Sequence, residues 1–176
     1  MMLWFRPLPK VSLDSTVWTP FIKNNWYREH YMKFVYLLQV VLLFIPTLFN
    51  TGFSQLHIFA LILIGILIFI LHECLHIVVI NKKGDISLTF SGVFFWINTN
   101  AILSKPRFWV FMSLPYIVLS IMPFILSFYV SEDLKLNLLF ISWFNTLISA
   151  SDIINSILIA LKPRNTLFCR GYMRVE

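Results

Sequence analysis

Apolar residues gather into four long runs, at residues 34–49, 56–80, 108–130 and 136–161. A helix crosses the ~30 Å hydrocarbon layer of a bilayer with about 20 residues, so each run is a candidate span, the first with help from residues before it. Gln39 and Pro46 interrupt the first run, and Pro115 and Pro123 predict a bend in the third, because proline removes a helix hydrogen bond. Between the second and third runs the period changes. Ile86-Ser87-Leu88-Thr89-Phe90-Ser91 alternates apolar and polar residues, Gly92 follows, and Val93-Phe94-Phe95-Trp96-Ile97 leads to Asn98-Thr99-Asn100. Alternation of this kind predicts strands, so residues 86–103 are expected to form a β-hairpin at the membrane surface. The expected fold class is an all-α membrane protein, a four-transmembrane-helix bundle with a small membrane-surface β-hairpin between helices two and three.

Composition agrees with that pattern. The 176 residues are 59% hydrophobic and only 12% charged, with a mean hydropathy of +0.80, values outside the range of soluble domains. The expected organisation is an interfacial N-terminal segment (1–33), one four-span domain (34–161) and a basic tail (162–176). A net charge of +6 raises the question of nucleic acid. The basic residues, however, flank apolar runs instead of forming a patch interleaved with aromatics, so they serve orientation, and no nucleic-acid partner is expected. Cys74 and Cys169 are too far apart in this plan to pair. No cleavable signal is expected near the start, where Arg6, Pro7, Pro9 and Lys10 break any apolar stretch.

Charge also predicts topology. Arg6, Lys10, Lys23, Arg28 and Lys33 lie before the first run, Lys82, Lys83, Lys105 and Arg107 between the second and third, and Lys162, Arg164, Arg170 and Arg174 after the fourth. The other two links hold Lys135 as their one lysine. By the positive-inside rule, both termini are expected to be cytoplasmic in a multi-pass protein of the cell membrane.

The second run carries the chemistry. His72-Glu73-Cys74-Leu75-His76 is an HExxH motif. On a helix, residues four apart share a face, so His72 and His76 can present two imidazoles to one metal with Glu73 beside them. A charged side chain near the bilayer centre costs ~2.5–3.5 kcal/mol even on the lenient insertion scale, so Glu73 calls for a function. In the fourth run, Asn145, Ser149, Asp152 and Ser156 recur at spacings of four, three and four and form one polar stripe, expected to face the bundle interior. The topology puts the motif and Asp152 in the same half of the bilayer. A hydrolytic zinc takes three protein ligands and keeps one position open, which His72, His76 and Asp152 can provide, with Glu73 as general base. Zn²⁺, two neutral imidazoles and two carboxylates sum to zero charge, as a low-dielectric site favours. Asn145, two turns before Asp152, is the candidate hydrogen-bond donor to a tetrahedral oxyanion.

An HExxH helix, a β-like surface loop, a further helix and then a helix with an intramembrane Asp preceded by an Asn resembles the site-2 protease class of intramembrane zinc metalloproteases. More closely, the plan is similar to the compact zincin peptidase family of membrane HExxH proteins. The resemblance covers residues 56–161. It implies hydrolysis of peptide bonds in membrane-embedded or membrane-proximal segments of protein substrates within the lipid bilayer, with His72, His76 and Asp152 on Zn²⁺ and Glu73 activating the water. The last motif departs from the site-2 pattern, since no proline lies between Asn145 and Asp152 and Ile153 stands where glycine is usual. Two other classes compete with this expectation: a non-catalytic membrane protein that binds metal and recognises partners, and a small proton-coupled transporter using the same acids and histidines.

Overall fold

The computed structural model describes residues 2–4, 8, 13–49, 51–53, 56–80, 84–91 and 94–176. The basic residues Arg6, Lys10, Lys82 and Lys83, the prolines Pro7 and Pro9, part of the link after the first run, and Gly92 with Val93 lie outside the described residues.

The first long helix, α1 (Asn25–Leu48), starts earlier than the apolar run. Asn24 stops it cleanly, with extended backbone angles and a side-chain oxygen that accepts from the Tyr27 amide at 3.0 Å. Helix α2 (Ile58–Ile80) carries the HExxH motif in its last third. The third span comprises α3 (Lys105–Tyr116), a π turn (Ile117–Ile121) and α4 (Met122–Leu126). Its two prolines are thus accommodated by a local widening of the helix. Among the described residues, three helices are long and apolar enough to cross a membrane: α1, α2 and the composite Lys105–Leu126.

The fourth run, expected as a single span over residues 136–161, is not one straight helix. It divides into α5 (Glu132–Ile148) and α6 (Ala150–Ala160), bent by 66° where they meet. Only together do the two pass as a further span. Ser149 marks the break, with φ −80° and ψ 7°, and the bend places Asp152 in the first turn of α6. A carboxylate there faces the positive end of the helix dipole.

Two small sheets are present among the described residues. Strands β1 (Met2–Trp4), β3 (Ile86–Ser91) and β4 (Phe94–Thr99) lie in the order β1-β3-β4. Strands β3 and β4 pair antiparallel from Ile86↔Thr99 to Ser91↔Phe94. The second sheet, in the order β2-β7-β6-β5, takes β2 (Thr19–Pro20) and β5 (Leu103–Ser104) together with β6 (Thr166–Cys169) and β7 (Tyr172–Val175). The basic tail is therefore folded against the segment that precedes α1. Sequence pattern hides this because the four-residue strands are short and hold Arg174 and Thr166 among apolar residues.

Basic side chains from the start of α3 cap the ends of neighbouring helices. Lys105 donates from Nζ to the carbonyls of Ala160 and Lys162, at the C-terminus of α6. Arg107 Nε donates to Val79 O at 3.0 Å, at the C-terminus of α2. Cations at these ends satisfy carbonyls that the helix leaves unpaired and oppose the negative end of its dipole. Lys162 Nζ donates to Phe21 O at 3.0 Å and lies 5.3 Å from that residue's ring. Beneath this layer, Phe21, Ile159, Phe168 and Met173 form one core cluster, and Ile80, Ile86, Ala101, Leu103 and Phe111 another. The last turn of α2 is thus anchored on one side by the hairpin and on the other by α3.

Candidate metal centre

Helical spacing places His72 and His76 on one face of α2, and packing turns that face inward: both are 5% exposed, although α2 is apolar all round. Asp152, 8% exposed, approaches from the first turn of α6. The three ligand-type atoms converge. His72 Nε2 and His76 Nε2 are 3.1 Å apart, and Asp152 Oδ2 lies 3.1 Å from the first and 3.3 Å from the second. No other trio of His, Cys, Asp or Glu with this proximity occurs among the described residues.

The other nitrogen of each ring is held by a defined partner. His76 Nδ1 is 2.6 Å from the backbone oxygen of Phe111. A carbonyl can only accept, so this nitrogen carries the hydrogen and Nε2 presents its lone pair. His72 Nδ1 is 3.0 Å from Asn145 Oδ1. The orientation of that amide follows from its other end, where Nδ2 reaches Pro115 O at 3.1 Å and Ser120 Oγ at 2.8 Å. Pro115 O accepts only, so the amide nitrogen faces it, Oδ1 faces His72, and Nδ1 of His72 is again the protonated one.

Two imidazole lone pairs and a carboxylate oxygen therefore point at one another across 3.1–3.3 Å. Three acceptors so close repel unless a cation lies among them. Ligands about 2.0–2.1 Å from a tetrahedral zinc are separated by about 3.3–3.4 Å along each edge, so the observed triangle fits that ion with little adjustment. Charge and donor type fit as well, since two imidazoles and one carboxylate are a familiar zinc set.

That cavity, about 310 Å³, lies against the cluster and is lined by both α1 and α2. Glu73 lines it beside the two histidines and Asp152. From α1 it takes Tyr36 and Gln39, and from the hairpin Ile97. Asn155, one turn beyond Asp152, also lines it, with its amide nitrogen 3.9 Å from the thioether of Met112.

The residues singled out in the sequence thus divide. His72, His76 and Asp152 meet, and Glu73 lies beside them on the same cavity. Asn145 is drawn in for a different purpose from the expected one. It is fully buried, and its amide hydrogens are engaged by Pro115, Ser120 and, at 3.3 Å, Ser149 Oγ, which leaves none for an oxyanion. Its geometry is that of a group orienting His72. Phe111 and Pro115 were not among the sequence candidates. A signal for them exists, however: a proline inside a helix leaves the carbonyl four residues earlier without its usual donor.

A membrane-type helical fold with an HExxH helix and a buried His-His-Asp cluster places the chain among proteins with a zincin-type metal site. The chain belongs to the family described as "Putative zincin peptidase", whose model matches residues 65–167, from the middle of α2 through α6 to the start of β6. Neither curated proteins nor solved structures yield a match.

Proposed function

We propose that this protein is an intramembrane zinc metalloprotease of the site-2 type, acting on membrane-embedded or membrane-proximal segments of protein substrates. The observation that carries the reading is the triangle of His72 Nε2, His76 Nε2 and Asp152 Oδ2, with both histidines fixed in the tautomer that leaves Nε2 bare. Those three atoms would hold the ion. When bound there, zinc brings the pKa of a water ligand down to about 7 and polarises a scissile carbonyl.

The chain's own residues do the rest. Glu73, on the cavity wall next to both histidines, accepts the proton of the attacking water on its carboxylate and returns it to the departing amine. The buried histidines are held in place by the Asn145 amide and the Phe111 carbonyl, so their imidazoles do not reorganise during the reaction. The substrate approaches through the cavity between α1 and α2. Its reacting segment is extended and pairs with β4, the edge strand of the three-stranded sheet, whose Ile97 lines the cavity. The hairpin lies at the membrane surface and both termini are cytoplasmic, in accord with the basic residues that cap α2 and α6.

Metal content per purified chain is the deciding measurement, for wild type, Asp152→Ala and Glu73→Gln, paired with cleavage of fluorogenic single-span peptides in proteoliposomes. The expected result is near one zinc per chain in wild type and Glu73→Gln, sharply less in Asp152→Ala, and cleavage in wild type alone. Loss of a catalytic proton-transfer group lowers rates by about 10²–10⁴. A wild type free of metal after chelator-free purification returns the proton-relay reading. Zinc with cleavage undiminished in Glu73→Gln removes that residue from the reaction.

A further inference from the structure

Both histidines trace back to one residue on α3, which supplies neither a ligand nor a titratable group. Pro115 is buried inside the helix, four residues after Phe111. In a regular helix the amide of residue 115 donates to the carbonyl of residue 111. Proline has no such hydrogen, and its ring crowds the carbonyl four residues back and turns it off the helix axis. The Phe111 carbonyl so released is the acceptor of His76 Nδ1 at 2.6 Å. At its other end, the carbonyl of Pro115 itself receives Asn145 Nδ2 at 3.1 Å, and the same amide presents Oδ1 to His72 Nδ1 at 3.0 Å.

We infer that Pro115 is the common positioning residue of the metal centre: its missing N–H frees the Phe111 carbonyl to orient His76, and its own carbonyl orients His72 through Asn145. This rests on the metal-site reading above and goes beyond it by assigning the orientation of both imidazoles to a backbone defect. The π turn Ile117–Ile121 follows at once, so the helix departs from regular geometry directly after Pro115. Pro123, the second buried proline of this span, lies in α4 and serves as the comparison.

The test is zinc affinity of the full-length protein in detergent, measured by competition with a chelating dye, for wild type, Pro115→Ala and Pro123→Ala. The visible spectrum of each cobalt-loaded protein and the thermal unfolding of each metal-free protein accompany it. Loss of an outer hydrogen-bond partner lowers metal affinity about 10–100-fold. Pro115→Ala should show such a loss and a changed cobalt spectrum, with Pro123→Ala like wild type. A protein with lactate at position 115 separates the missing N–H from the ring, because it has the methyl side chain of alanine and an ester oxygen where the N–H would be. It should regain most of the affinity, and it carries the test if Pro115→Ala does not fold. Wild-type affinity in Pro115→Ala, an equal loss in both proline variants, or a lactate variant as weak as the alanine one overturns the inference while leaving the metal site in place. Absence of zinc from the wild type overturns both.

Discussion

Asn145 Oδ1 lies 3.0 Å from His72 Nδ1, and the two residues stand 73 positions apart in the chain. The contact joins α5 to α2 inside the core and leaves the imidazole one orientation. Replacing Asn145 by Leu removes it and strands the Pro115 carbonyl and Ser120 hydroxyl as well. Zinc affinity is expected to fall about 10–100-fold, and folding stability by about 1–3 kcal/mol for the polar groups left unpaired. Titration with a zinc indicator checks the first part and thermal unfolding the second. Full zinc affinity with a loss confined to kcat would instead return Asn145 to the oxyanion role expected from its spacing.

Gly65 sits where α2 crosses α5, and a β-carbon there would lie 3.3 Å from the Phe144 ring. Alanine needs only a small shift of that ring. Leucine forces α2 away from α5 and displaces the histidines two turns further along. Gly65→Leu is expected to lose cleavage and most bound zinc, while Gly65→Ala keeps both; an active, zinc-loaded leucine variant would show that this crossing does not set the site.

The metal is expected to clamp α2 to α6, since two of its three ligands come from one helix and the third from the other. A ligand present at a thousand times its Kd adds about 4 kcal/mol to the native state. Treatment with a chelator should therefore lower Tm of the wild type by several degrees and leave Asp152→Ala unmoved. An equal drop in both would point to metal bound elsewhere.

What could be read from the sequence follows from the range of the interactions. The HExxH face needs only helical periodicity, and Glu73 inside an apolar run needs only the cost of burying charge, so both are local signals. Asp152 was legible as the lone acid of its run. The bend at Ser149 was not, because Ser149 and Ala150 are compatible with a continuous helix and no proline or glycine stands near the break. The task of Asn145 was hidden for a related reason. An amide four or seven residues from an acid declares a face of the helix, but which of its ends meets His72 is decided by the carbonyl of Pro115 on another helix. The folded tail escaped because its strands pair with residues 19–20 and 103–104, partners too short to carry a pattern of their own.

Cys169 offers a check on that folded tail. It is 3% exposed in β6, with Sγ 3.7 Å from the Asn100 carbonyl. Burial raises its thiol above the ordinary value of 9.0, against the smaller opposing pull of the Arg170 charge. The thiolate is the reactive form, so in a Cys74→Ser background maleimide should label Cys169 slowly at pH 8 and at the rate of a free thiol once the protein is denatured. The sign of the linkage follows from the same shift. The native state holds this proton after the unfolded chain has released its own, so the associated stability is complete below the ordinary thiol value and is lost as pH rises through the higher native one. Labelling rates measured from pH 7 to 10 should keep climbing beyond 9. A plateau below that pH, or fast labelling of the native protein, would mean that the β6–β7 hairpin is not closed over the C-terminal end of α6.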